Sequence, residues 1–339
     1  MLNANAHKNF TASGDKEAEM LLGRVLSEIG GTLSGTGLCV VLGGSYGRGD
    51  GGVRVDKENG ILYNDLDFFV FGNKKSSGAG KLLHDVAVKY EKELKVNVDF
   101  SAVMSVRGIK NNAPRLMMQE LRRGYRLVCG EDLLEKHLPE FPPEQIPFSE
   151  ACRLLLNRGM GLLLAGEKIY GNSGESDFIL RNINKAILGC CDALLIARKN
   201  YKWQIDERLK SVAVLDLPES FKEYYAGAVG FKKSPSREMP CDVEKIWRDV
   251  RDMFRRCITE ICGENCGELA SHCRNSGEIS LKNWLKYCIK SRSFPVRNWQ
   301  FYTMPAVTAL IPELDEALAN MPGRTVSESK FYQQWLIFN

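Results

Sequence analysis

Three carboxylates stand in stretches that otherwise read as buried strands. Asp65 and Asp67 open the run NDLDFFVF that ends at Phe71, and Asp99 lies within VNVDFSAV, an alternating stretch that begins at Val96. Side chains of a strand alternate between two faces, so Asp65 and Asp67 share one face while Leu66, Phe68 and Val70 take the other. Asp99 falls with Asn97 and Ser101 on the polar face of its own segment. Carboxylates one pleat apart repel, and burying them without counter-charge is costly. A hard divalent cation resolves the conflict. Oxygen ligands of this kind suit Mg²⁺, which keeps some waters and shares its other positions with phosphates. A solvated strand end would also account for the aspartates, and the glycine-rich stretch upstream is what favours a site.

That stretch, GGSYGRGDGG from Gly43 to Gly52, follows the fully apolar run Leu38–Leu42, which has the character of a buried strand. Gly47, Gly49 and Gly52 satisfy G-x-G-x-x-G, the dinucleotide fingerprint, but that fingerprint must open a helix. The residues that follow, VRVDKENGILY, read instead as a hairpin-like excursion with Glu58, Asn59 and Gly60 as its turn. The P-loop pattern is absent, and the kinase glycine loop would place Val where Arg54 stands.

Around this pair of segments the chain is ordinary in bulk. Its 339 residues are 44% hydrophobic and 26% charged, enough for about two domains. A net charge of +4 does not demand a nucleic acid and is compatible with a locally basic cleft for a polyphosphate. No apolar run approaches the roughly 20 residues of a membrane span, and Met1–Gly14 has no signal-peptide core, so a cytoplasmic location is expected. Of the eleven cysteines, Cys39, Cys152, Cys190 and Cys191 lie in apolar runs and read as small hydrophobes. Cys262, Cys266, His272 and Cys273 lack the paired spacing of structural zinc modules, and the three cysteines read as reduced thiols.

Periodicity supplies the surrounding elements. Helices are expected over residues 15–30, 81–94 and 114–123, with a short strand over 125–129. The prolines at 139, 142, 143 and 147 mark a linker, dividing the chain into residues 1–145 and 146–339. Beyond it helices are expected over 149–165, 177–201, 218–228, 242–262, 280–289 and 307–320, with 231–240 a loop. The fold class is therefore α+β: a mixed sheet with flanking helices, then an all-helical domain.

A strand ending in Gly44-Ser45, a turn carrying Arg48, a strand with Asp65-Leu66-Asp67 and a later strand with Asp99 together resemble the polymerase-beta-like nucleotidyltransferase superfamily. The likeness covers about the first 140 residues, and the helical remainder loosely resembles the C-terminal domains of bacterial antibiotic nucleotidyltransferases. Members of the superfamily bring the Asp-x-Asp closer to the Gly-Ser than the twenty positions that separate Ser45 from Asp65 here. The excess fits an inserted hairpin around Arg54–Tyr63. The resemblance implies two Mg²⁺ ions held by Asp65, Asp67 and Asp99, with Gly44 and Ser45 on the β- and γ-phosphates and Arg48 as a phosphate clamp. Tyr46 would then be placed to stack on a base or line the cleft. Lys185, four residues after Arg181 on one helical face, is a further phosphate candidate. The implied activity is transfer of a nucleoside monophosphate from an NTP, ATP first among them, to an acceptor hydroxyl with release of pyrophosphate. The acceptor would be a small molecule or a protein, before an RNA end; the mild charge argues against long nucleic acid. The rival reading is a non-catalytic nucleotide-binding regulator or the partner of a toxin.

Overall fold

The computed structural model describes residues 9–54, 61–72, 79–236, 238–263, 306–323, 325–329, 331–332 and 335. The chain is α+β and divides into two compact units, Met1–Pro142 with Gly230–Ser236, and Pro143–Val229 with Arg237–Asn339.

The first unit is built on a four-stranded mixed sheet. Its strands are β1 (Cys39–Leu42), β2 (Leu66–Phe71), β3 (Val98–Phe100) and β4 (Arg126–Cys129), in the order β3-β2-β1-β4. β1 runs antiparallel to both β2 and β4, while β2 and β3 are parallel and joined through α3 (Ala79–Leu94). Alternation sorts the strand residues onto two covered faces. Val40, Leu42, Leu66, Phe68, Val70 and Val98 form one core with α1 (Lys16–Leu33) and α3. Within it the rings of Phe68 and Phe100 stack at 4.7 Å and tie β2 to β3. Cys39, Val41 and Phe71 pack on the other side against α4 (Val106–Asn112), α5 (Leu116–Arg123) and α6 (Leu133–His137). Only α5 was expected among these three helices; α4 and α6 span two turns or fewer, too short for periodicity to declare.

Two sequence expectations change here. α1 does not stop at Gly30 but runs to Leu33, because Gly30 is a packing glycine: a Cβ there would stand 2.6 Å from the carbonyl oxygen of Val128 in β4. The glycine turn after β1 is a short helix, α2 (Gly44–Arg48), closed by Gly49 in the left-handed conformation at φ 82°. No helix opens at Gly52. Instead Val53 bridges Leu62 antiparallel, and the Arg54 N–H donates to the Ile61 carbonyl at 2.7 Å. These are the legs of the expected hairpin, whose turn at residues 58–60 lies outside the described residues.

The second unit is helical among its described residues. α7 (Phe148–Tyr170) and α8 (Ser176–Ala197) pack along their lengths, with α9 (Ile205–Ala213), α11 (Val243–Cys262) and α12 (Ala306–Asn320) around them. Trp247 of α11 is fully buried, donates from its indole to the Leu162 carbonyl at 2.8 Å, and lies over Gly166, where a Cβ would stand 2.4 Å from the ring. α9 has no counterpart among the sequence expectations. α10 (Glu219–Lys233) is longer than expected: Phe231–Lys233, read as loop, are helical, and this last turn belongs to the first unit, where Phe231 meets the Tyr63 ring edge-on at 6.1 Å. The helix expected over 280–289, and Cys266, His272 and Cys273, lie outside the described residues; Cys262 is buried at the end of α11. Among the described residues no helix is long and apolar enough to cross a membrane.

The glycines of α1 afford a direct check. Gly23 has open space where its Cβ would go, whereas Gly30 meets the Val128 carbonyl. Gly23→Ala is expected to stabilise the protein by up to about 1 kcal/mol through helix propensity. Gly30→Ala is expected to destabilise it by about 1–3 kcal/mol through overpacking, both read by urea denaturation.

Candidate functional site

The three aspartates lie at the end of the sheet where β2 begins. Asp67 and Asp99 are register partners on the parallel pair β2–β3, so their side chains share a face, and Asp65 immediately precedes β2. Because β1 and β2 are antiparallel, the end of β1 lies beside the start of β2, and the Gly43 N–H donates to the Asp67 carbonyl at 2.8 Å. Gly44 then sits directly against the Asp67 side chain. A Cβ on Gly44 would stand 2.1 Å from Asp67 Oδ2, and its φ of +59° is one that glycine adopts without strain. Ser45 follows in the first turn of α2, half-buried. The two segments singled out in the sequence are thus in contact through Gly44 and Asp67.

Electrostatics links Asp99 to Asp65. Asp99 is itself exposed at the sheet edge, and its carboxyl is held above the ordinary carboxylate range first by local desolvation, then by the charges of Asp65 and Glu91. Among the described residues no group of three His, Cys, Asp or Glu side chains is placed so as to hold a metal ion. What the structure brings together is the Asp67 carboxylate and the Gly44 backbone, with no side chain between them. Aspartate oxygens are the donor type that suits a cation completing its shell with water and phosphate oxygens.

The remaining expected residues have different settings. Arg48 lies between two protein carboxylates, with Nε 3.6 Å from Asp50 Oδ2 and an Nη 3.7 Å from Glu120 Oε2. Its stem packs on Gly124, where a Cβ would come 2.3 Å from Arg48 Cγ. Asp50 is also 3.3 Å from the Lys232 ammonium. This setting makes Arg48 a brace between α2 and α5. Lys185 is exposed on α8 in the second unit, one turn after Arg181, which pairs with Asp177 at 3.5 Å. Tyr46 faces inward with 0% exposure, so it is a core residue and not a stacking platform for a base; burial pushes its hydroxyl up to about 12.

The sequence reading did not identify a groove of about 410 Å³ that runs along the open edge of β3. Asp99, Phe100 and Ser101 line it from the strand, and Leu83, His84 and Glu91 from α3. Glu91 also accepts the Val98 N–H at 3.3 Å. The available signal was that His84 and Glu91, seven residues apart, share one face of a helix.

Comparison with family models, with curated proteins and with solved structures finds no match.

The electrostatic link between Asp65 and Asp99 is measurable in metal-free protein by following the Asp99 carboxyl carbon in an NMR titration. Its midpoint is expected above that of an ordinary aspartate and should fall in Asp65→Asn, though not fully, since local desolvation is the larger cause. With a raised folded value, Asp99 makes stability fall as pH rises from the ordinary carboxylate value through the raised one, and level off above it. An unchanged midpoint in Asp65→Asn would mean that the two carboxylates do not interact.

Proposed function

We propose that the first unit is a Mg²⁺-dependent nucleotidyltransferase, moving a nucleoside monophosphate from an NTP to an acceptor hydroxyl and releasing pyrophosphate. The observation that carries this reading is the contact of Gly44 with Asp67, because it puts the glycine backbone proposed for phosphate beside one of the carboxylates proposed for the cation, with Asp99 opposite that carboxylate in register. The resemblance of these same segments to the polymerase-beta-like superfamily supports it.

Each residue has a distinct task in this reading. Asp65, Asp67 and Asp99 would hold the cations through oxygen ligands. Bound there, Mg²⁺ supplies neutralisation of the triphosphate charge and acidifies the acceptor hydroxyl. Gly44 brings the backbone close to the phosphates without a Cβ, and Ser45 offers a hydroxyl beside it. Phosphoryl-type transfer asks the protein for alignment and charge stabilisation more than for covalent participation, so rigid placement of these groups matters most. Arg48, engaged by Asp50 and Glu120, serves by holding α2 in place. The groove beside Asp99 provides room for the acceptor, and its volume lies in the range of small-molecule sites. A small hydroxyl-bearing acceptor is therefore preferred over a protein side chain, and both over an RNA end.

The test is incubation with each α-labelled NTP, Mg²⁺ and a fractionated cell lysate, beside Asp65→Asn/Asp67→Asn. Label is expected to enter the low-molecular-weight fraction. The variant should be slower by at least about a hundredfold, the scale of losing an electrostatic stabiliser of developing charge. Equal transfer by both proteins, or transfer by neither, sinks the reading; NTP binding without transfer would favour a nucleotide-binding regulator.

A further inference from the structure

The excursion from Gly52 to Asn64 sits between the two halves of the site, and a single hydroxyl closes its base. Tyr46 Oη donates to the Gly52 carbonyl at 2.8 Å and accepts the N–H groups of Tyr63 at 3.0 Å and Asn64 at 3.2 Å. One donor and two acceptor sites are the full capacity of a phenol. The Asn64 side chain completes the clasp, its Oδ1 accepting the Gly52 N–H at 2.7 Å. Tyr63 N–H also reaches the Gly52 carbonyl at 3.2 Å. Both legs of the excursion are therefore tied to α2, one residue after Ser45 and one residue before Asp65.

The ring itself has no freedom. It is wholly buried, and a Cβ on Gly51 would stand 2.0 Å from its Cδ1, so the neighbouring backbone is packed against its edge. A phenylalanine would fill the same apolar volume. What it would lack is the one group that fixes the backbone entering Asp65. An inserted segment costs little in chain entropy, since closure cost grows slowly with length, but it removes the short connection that would otherwise hold Asp65 in register with the glycine segment. The hydroxyl restores that constraint across the insertion.

We propose that Tyr46 is a positioning residue whose hydroxyl, through the backbone of Tyr63 and Asn64, holds Asp65 in place beside Asp67 and Asp99 for a divalent cation. This rests on the reading of the three carboxylates as a cation site, and the experiment separates the two. Mn²⁺ binding to the full chain is measured by the EPR signal of free Mn²⁺ for wild type, Asp67→Asn, Tyr46→Phe and Tyr90→Phe. Tyr90 is the control because its hydroxyl bonds Glu28 at 2.8 Å within the same unit and takes no part in the clasp. Wild type is expected to bind, Asp67→Asn to lose binding, and Tyr46→Phe to weaken affinity by about tenfold or more, as removal of a group supporting a ligand does. Tyr90→Phe should match wild type. Excess Mn²⁺ should restore label transfer in Tyr46→Phe and not in Asp67→Asn. Tyr46→Phe binding as tightly as wild type overturns the positioning role alone. Wild type and Asp67→Asn binding alike overturns the cation site and the positioning role with it. Should Tyr46→Phe fail to fold by circular dichroism, Asn64→Ala takes its place: weakened Mn²⁺ binding supports the clasp, and wild-type affinity overturns it.

Discussion

The absence of a side chain at Gly44 is the constraint on which the candidate site depends. Asp67 Oδ2 occupies space where a Cβ would be, so the carboxylate and the backbone after β1 come together only because that residue is glycine. The contact has a second anchor in the Gly43 N–H, which donates to the Asp67 carbonyl. Together they bring the end of one antiparallel strand into register with the start of the next. Everything else in the first unit serves to keep those two strand ends in place.

Sheet architecture does most of that work. β2 is an inner strand, paired antiparallel on one side and parallel on the other, with both faces covered by helices. Such a strand has little freedom to slip, because a one-residue shift would send Leu66, Phe68 and Val70 to the wrong face. The same pairing sets Asp67 opposite Asp99. Arg48 adds a polar brace: held between Asp50 and Glu120, it links the short helix to α5. Partly exposed ion pairs are individually weak, so its effect is on placement more than on stability.

In the second unit close packing replaces sheet pairing. Gly166 admits the Trp247 ring, and Gly189 lies against the stem of Arg158. Small residues at these points allow α7, α8 and α11 to approach closely, as ridges settle into grooves. The fully buried Cys190, Cys191 and Cys257 contribute as small hydrophobes, and burial pushes the thiols of Cys190 and Cys191 upward, away from reactivity.

Much of this was legible without coordinates. Alternation in NDLDFFVF announced the strand, which the structure begins at Leu66, one residue after Asp65, since a period of two in so apolar a run reads as a strand. Long amphipathic stretches likewise determined α1, α3, α7, α8 and α11 to within a few residues, because a 3.6-residue repeat over several turns is unambiguous. α4 and α6 escaped, being too short to repeat, and α9 escaped because its nine residues carry few apolar positions, with Arg208 and Val212 its buried ones. Only the tertiary structure decided matters that depend on partners distant in sequence. Gly30 reads as a helix stop until Val128 is seen against it. Arg48 reads as a phosphate ligand from its type, and only the structure adds Asp50 and Glu120 beside its guanidinium. Tyr46 reads as a cleft residue until its hydroxyl is found between Gly52, Tyr63 and Asn64. Residue type states what a side chain can bond to; which partner it finds is set by the packing of segments far apart in the chain, and pattern within one segment carries no record of that.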